Sequence, residues 1–377
     1  MSGWRRHLHT HPELAFEERE TAAFVADQLH RLGRYDIHEG VAGTGIMADL
    51  AGRPGAPLVA LRADMDALPI EESQSHELRS VHPGRMHACG HDGHVAMLLG
   101  AAALLAEVTG PQDAGVRLLF QPSEETVGPD GRSGAQRMLD EGVLDGVGSV
   151  HAIHLDPSMP VGTARLSSGS AMAGVDTFRG VIKGTGGHGG RPEASVDPIW
   201  MLGPVLGVLQ SIVSRRVPPL ETAVLSVCRL AAGSAANAIP PEVLVEGTIR
   251  SFRPEVRNAL RVELERAFAL TRPLGGDYDL DVRSENPPVL NDPGACAEMA
   301  GALMALWPTF TLHDGPYGTL GEDFAFMAER VPAALAMLGC APPSGPTELH
   351  SPDFAIDEGA LPLGAAWLAE TAHDHHP

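Results

Sequence analysis

Over residues 18–32 the apolar positions recur at helical spacing and stop at Gly33, which predicts an amphipathic helix. The rhythm then shortens. Apolar runs at 58–62, 116–120 and 150–155 predict strands, and residues 95–108, apolar on nearly every side, predict a buried helix that stops before Gly110-Pro111. Strands separated by helices predict an α/β domain with a mixed, mostly parallel sheet covered by helices on both faces. Polar residues follow the strands: Asp64 and Asp66 after the first, Glu124 and Glu125 after the second, His154 near the end of the third. Sites in open α/β sheets form outside the carboxyl ends of the strands, so these segments are expected to converge.

From about residue 175 the order changes. Strands are predicted at 175–183, 222–230, 243–252 and 278–284, with helices at 198–215 and 254–271, the second opened by Pro254 in its first turn. The sequence β-α-β-β-α-β is the ferredoxin-like pattern. A further α/β stretch follows, carrying Gly321-Glu322-Asp323-Phe324 and Leu349-His350-Ser351-Pro352. The ferredoxin-like α+β domain, 174–285, is therefore expected as an insertion. It interrupts a discontinuous domain made of residues 1–173 and 286–377.

Composition narrows the function classes. A length of 377 residues fits two domains, and 44% hydrophobic content is ample for packed cores. A net charge of −21 opposes nucleic-acid binding, because no basic stripe offsets phosphate repulsion. The four cysteines, 89, 228, 296 and 340, follow no framework spacing, so free thiols in a reducing, cytoplasmic compartment are expected. No apolar segment follows the two N-terminal arginines, which argues against a signal peptide. The longest apolar run, 95–105, falls short of the roughly 20 residues that span a bilayer. The tail histidines His373, His375 and His376 are expected to be disordered, with adventitious metal binding at most.

The densest chemistry lies in Met86-His87-Ala88-Cys89-Gly90-His91-Asp92-Gly93-His94. Thiolate, imidazole and carboxylate are the donors that bind a transition metal. One thiolate and one neighbouring His do not fill a coordination sphere, so further donors must come from elsewhere. A small buried Cys is the bland alternative, and a purely structural zinc site is another. The latter is usually closed by Cys and His alone and would leave Glu124-Glu125 unexplained. His151 and His154 are three apart on a strand and point to opposite faces, so one of the two should reach a metal.

The chain resembles the M20 metallopeptidase family, in its amidohydrolase branch of hippurate hydrolases, N-acyl-amino-acid amidohydrolases and plant auxin-conjugate hydrolases. The resemblance rests on Arg5-Arg6-His7-Leu8-His9 with Pro12-Glu13-Leu14, Arg62-Ala63-Asp64-Met65-Asp66-Ala67-Leu68-Pro69, the Cys89 run and Gln121-Pro122-Ser123-Glu124-Glu125. It continues in His154, Gly186-Gly187-His188, Asn237-Ala238-Ile239-Pro240, Gly247-Thr248-Ile249-Arg250 and Leu349-His350. It implies two divalent metal ions per subunit, with zinc the first expectation and Mn, Co or Ni able to serve. Their ligands would be Cys89 as bridge, His91, Glu125, His154 and His350. Glu124 would be the general base and Asp66 would orient a ligand imidazole. Asp64 stands where the related aminopeptidases have a metal-binding His and would not be a ligand, its bland reading being a loop residue that bonds local backbone. His94 would belong to helix packing, and His151 to packing or the surface. His188 would hold the oxyanion, and Asn237 and Arg250 the substrate carboxylate. Arg191-Pro192-Glu193 departs from the family, which often has a His there. The implied reaction is hydrolysis of N-acyl-L-amino acids to a carboxylic acid and a free amino acid, by a homodimer joined through the inserted lid domain. A dipeptidase or carboxypeptidase on the same dinuclear site is the alternative enzyme. A binding protein that keeps the fold without catalysis is the alternative of another class.

Overall fold

A computed structural model describes residues 1–73 and 78–373. The chain divides into two compact units. The first comprises Met1–Ala171, Leu290–Tyr317 and Asp323–Pro377, the second Met172–Val289 and Gly318–Glu322. The short segment Gly318–Glu322 thus groups with the inserted unit, although the sequence placed it with the flanking domain. His373 is ordered as the last residue of the helix Ala360–His373, and His375 and His376 lie outside the described residues.

Among the described residues of the first unit, an eight-stranded sheet runs in the order Tyr35–Val41, Gly45–Leu50, Val116–Gln121, Leu58–Asp64, Val147–Pro160, Ala333–Ala341, Thr163–Arg165 and Thr311–His313. Leu58–Asp64 pairs in parallel with both neighbours, and Ala333–Ala341 is parallel to Val147–Pro160. The strands Tyr35–Val41 and Gly45–Leu50 form an antiparallel hairpin at one edge. Val116–Gln121 is buried at every position, the continuous burial expected of a central strand covered on both faces. The helix His91–Val108 is buried along most of its length and packs with Ala360–His373 against this sheet. Trp367 of the latter helix donates its indole N–H to the Met299 carbonyl at 2.7 Å, so a large apolar ring is buried without an unsatisfied donor. Among the described residues no helix is long and apolar enough to cross a membrane.

The second unit holds a four-stranded sheet in the order Ala223–Ala232, Glu242–Ser251, Gly174–Lys183 and Asp277–Asn286, every neighbour antiparallel. With helices Pro198–Arg216 and Pro254–Ala269 this is the ferredoxin-like arrangement. Asp197 caps the first helix by accepting from the Ile199 and Trp200 amides. Phe178, Ile182, Val245, Leu209, Leu264 and Phe268 fill the core between sheet and helices. Two short strands, Gly187–His188 and Ala238–Ile239, pair with one another.

Candidate metal centre

Five donor side chains from four segments of the first unit come together. Cys89, His91 and His154 form one group whose ligand atoms all lie within 4.8 Å of one another, and Cys89, Glu125 and His350 form another. Cys89 is common to both. Its Sγ is 3.5 Å from His154 Nε2, and His350 Nε2 is 3.0 Å from Glu125 Oε1. Local backbone makes this possible. Gly90 takes φ +89° between Cys89 and His91 and ends the loop as the N-cap of the helix His91–Val108, a conformation few side chains tolerate. His350 itself stands at φ +60°, with its amide held by the Ala88 carbonyl at 2.8 Å. A non-glycine residue in this region is costly and concentrates at functional sites.

Two of the three imidazoles are fixed by their other nitrogen. His91 Nδ1 donates to the Asp66 carbonyl at 2.9 Å and to Asp66 Oδ1 at 3.2 Å, and His154 Nδ1 donates to the Leu155 carbonyl at 2.8 Å. Both Nε2 atoms are thereby turned toward Cys89 in the form that binds metal. Asp66 does more than orient a ring. Its two carboxylate oxygens also accept the backbone amides of Glu124 and Glu125, at 3.1 and 3.0 Å. One buried carboxylate thus fixes a ligand histidine and the backbone of the glutamate pair.

The electrostatics of the cluster call for a cation. Burial pushes the Cys89 thiol well above its usual range, and Glu125, Glu124 and Asp64 push it the same way. Burial opposes a charge on His91, yet Asp64, Asp66 and Glu125 outweigh it and raise the imidazole to about 10. Burial holds His154 well below its usual value. His91 Nε2 and Glu125 Oε1 are both buried without a hydrogen bond of acceptable geometry. Buried polar atoms rarely go unpartnered, so a thiol, imidazoles and carboxylates converging with orphaned atoms fit a divalent metal site.

Several sequence expectations need correction. Asp64 is not a loop residue bonding local backbone. It ends the strand Leu58–Asp64, fully buried, with Arg62 Nη1 at 2.7 Å and His94 Nδ1 at 2.6 Å. His94 is more than helix packing, because its Nε2 accepts the Leu155 amide at 2.9 Å, beside His154. His151 is buried, with Nε2 3.0 Å from Ser149 Oγ, and stays outside the donor groups. The N-terminal helix Ser2–Thr10 also contributes. Arg5 Nε lies 2.7 Å and His9 Nδ1 2.8 Å from Asp92 Oδ2, next to His91. The spacing of Arg5 and His9, four apart on one helix face, was the sequence signal for this pair.

The remaining candidates lie in the second unit. His188 pairs with Ala238, and the Gly189 amide donates to the Asn237 carbonyl at 2.8 Å, so His188 and Asn237 are neighbours. His188 Nδ1 accepts the Gly190 amide at 2.9 Å, which places the proton of the neutral ring on Nε2. Arg250 lies on the strand Glu242–Ser251 and donates from Nη1 to the Thr319 carbonyl at 2.7 Å. Glu193 is exposed, with Oε1 3.8 Å from Arg191 Nε.

Residues 60–374 match the model of peptidase family M20/M25/M40. The chain is 41% identical over 376 residues to the N-acetyl-L-cysteine deacetylase of Bacillus subtilis (strain 168), covering 99% of this chain and 87% of that one. It is 42% identical over 289 residues to the N-acyl-L-amino acid amidohydrolase of Geobacillus stearothermophilus, covering 76% and 77%. Among solved structures, the YXEP protein of Bacillus subtilis, described as a dinuclear metal binding peptidase, superposes with a TM-score of 0.85. That match is at 34% identity and covers 98% of this chain and 96% of that one. With the match extending from the strand that carries Asp64 past the donor His350, the chain belongs to peptidase family M20/M25/M40.

Proposed function

We propose that this chain is a metal-dependent amidohydrolase that cleaves N-acyl-L-amino acids into a carboxylic acid and a free amino acid. The observation that carries the reading is the pair of donor groups sharing Cys89, with Glu124 and Glu125 side by side on backbone fixed by Asp66. Cys89, His91, Glu125, His154 and His350 would hold two divalent ions, with zinc favoured by sulfur and Mn, Co or Ni compatible. When bound, such ions supply Lewis acidity and bring the pKa of a water toward ~7.

The protein residues divide the remaining work. Glu124 takes a proton from the attacking water as its oxygen bonds to the acyl carbon. It returns that proton to the amide nitrogen as the C–N bond breaks. Glu124 Oε1 accepts the Asp323 amide at 3.3 Å, which gives the base a fixed orientation. His188, with its proton on Nε2, donates to the oxyanion. Arg250 and Asn237 take the substrate carboxylate, a group that a guanidinium matches in shape and charge. The strand Ala223–Ala232 edges its sheet, and we assign it to pairing across a two-fold axis in a homodimer. The four unpaired cysteines fit a reducing cytoplasm.

The test is release of free amine from a panel of acetyl, benzoyl and longer N-acyl amino acids, with dipeptides as a second arm, on protein loaded with zinc or manganese. Cleavage of acyl amino acids ahead of dipeptides is expected. Dipeptides cleaved faster across the panel would replace this reading with a dipeptidase.

A further inference from the structure

The glutamate pair leaves the sheet through a strained residue. The strand Val116–Gln121 ends, Pro122 follows, and Ser123 stands at φ +48°. Ser123 is fully buried, and its turn is crowded. The Gly134 amide donates to the Ser123 carbonyl at 2.9 Å, and a Cβ at Gly134 would meet the Pro122 carbonyl oxygen at 1.6 Å. A serine here is strained relative to an ordinary backbone conformation, and something must hold it.

The Ser123 hydroxyl donates to the Thr126 carbonyl at 2.7 Å, and a second holding group is Glu18, which lies before the region matched by the family model. Its Oε1 accepts the Ser123 amide at 2.9 Å and its Oε2 accepts the Thr44 hydroxyl at 2.6 Å. Glu18 occupies the N-cap of the helix Arg19–Leu32, yet its side chain does not cap that helix. Glu13 accepts the Glu20 and Thr21 amides instead, at 3.1 and 2.8 Å, and leaves Glu18 turned inward. Together with Asp66, Glu18 gives three successive amides, of residues 123, 124 and 125, buried carboxylate acceptors.

We propose that Glu18 is a positioning residue, holding Ser123 in the left-handed conformation from which Glu124 and Glu125 enter the metal centre. The assignment rests on the proposed metal-dependent reading of that centre. What Glu18 supplies is shape rather than charge. Its carboxyl is raised by burial, with Asp66 adding to the rise, to about 7, and the neutral form keeps one oxygen for Ser123. Gln at this position offers the same oxygen and gives Thr44 a donor. Asp keeps the charge but falls one methylene short.

The experiment compares Glu18→Gln, Glu18→Asp and Glu18→Leu, alone and with Ser123→Gly, by zinc affinity against a chromophoric chelator and by kcat and KM on an N-acyl amino acid. Glu18→Gln is expected to stay within about threefold of the parent, while Glu18→Asp and Glu18→Leu lose about 10-fold or more in zinc affinity and in kcat with little change in KM. Gly adopts the left-handed conformation without help, so Glu18→Leu should cost less in the Ser123→Gly background than alone. Glu18→Asp matching or exceeding Glu18→Gln, or the same loss in both backgrounds, would overturn the assignment. The conservative Asp variant decides the matter even where Glu18→Leu fails to fold. A parent protein that cleaves no acyl amino acid, with the zinc-affinity pattern intact, would remove the proposed reaction and leave Glu18 in its role.

Discussion

Glu124 and Glu125 are adjacent in sequence and differ in surroundings. Both group with His91, but Glu125 of the pair also groups with Cys89 and His350, its Oε1 3.0 Å from His350 Nε2, while Glu124 Oε1 accepts the Asp323 amide. Glu124→Gln is therefore expected to keep bound zinc and lower turnover by about 10² or more, while Glu125→Gln loses zinc first. Metal analysis beside kcat checks this, and exchanged phenotypes would reverse the two roles. A second residue prediction concerns pH. The folded chain keeps the Glu18 proton up to about 7, where the unfolded chain has already released it near 4.5. The folded state binds more protons, so this carboxyl costs stability as pH rises through that window, and the cost is complete above it. Glu18→Gln should match the parent near pH 4.5 and be more stable near pH 8, by up to about 3 kcal/mol. Urea unfolding of chelator-treated protein measures it, and an equal difference at both pH values would contradict the sign. The grouping of Cys89, His91 and His154 was legible only through the resemblance to a known family, and the structure brings their ligand atoms within 4.8 Å of one another. Glu18 and His94 were not legible, because their roles depend on single backbone amides, of Ser123 and Leu155, that no spacing announces.

At the scale of elements, the loop that ends in the helix His91–Val108 depends on Gly90. A Cβ at Gly90 would meet Phe354 at 3.4 Å and Leu155 at 3.5 Å, so space is adequate and the backbone at φ +89° is the obstacle. Gly90→Ala is expected to destabilise by about 1–2 kcal/mol and to shift Cys89 against His91, weakening metal binding along with stability. Thermal unfolding and chelator competition on the same sample test the coupling, and a loss of stability with unchanged affinity would contradict it. Strands with central, continuous burial, such as Leu58–Asp64 and Val116–Gln121, announced themselves as apolar runs. The edge hairpin Tyr35–Val41 with Gly45–Leu50 did not, because its first strand is mostly exposed and carries charged and polar residues. The three-residue strands Thr163–Arg165 and Thr311–His313 are too short to show a period at all.

For the whole molecule, the proposed catalytic groups fall in two units, Glu124 with the metal donors in one and His188 in the other. The proposed homodimer leaves two routes, His188 from the same chain or from the partner, and the partner route predicts that mixing inactive Glu124→Gln with inactive His188→Ala protein restores activity after subunit exchange. Exchange shown by labelled subunits, with no activity returning, would assign both groups to one chain. The change in strand and helix order near residue 175 was readable, and it falls close to the start of the second unit at Met172. The allegiance of Gly318–Glu322 was not readable, since five residues carry no pattern of their own.

The first unit is written in three separate stretches of chain, and this bears on how the protein is made. The strand Ala333–Ala341 sits between Val147–Pro160 and Thr163–Arg165, so the sheet stays open in the middle until those late residues leave the ribosome. The inserted unit is nearly continuous and has its own core, so it can fold while the sheet still waits. His350 emerges later still. The five candidate donors are then complete only once His350 has been made, so Cys89 waits without its full set of neighbours through most of synthesis.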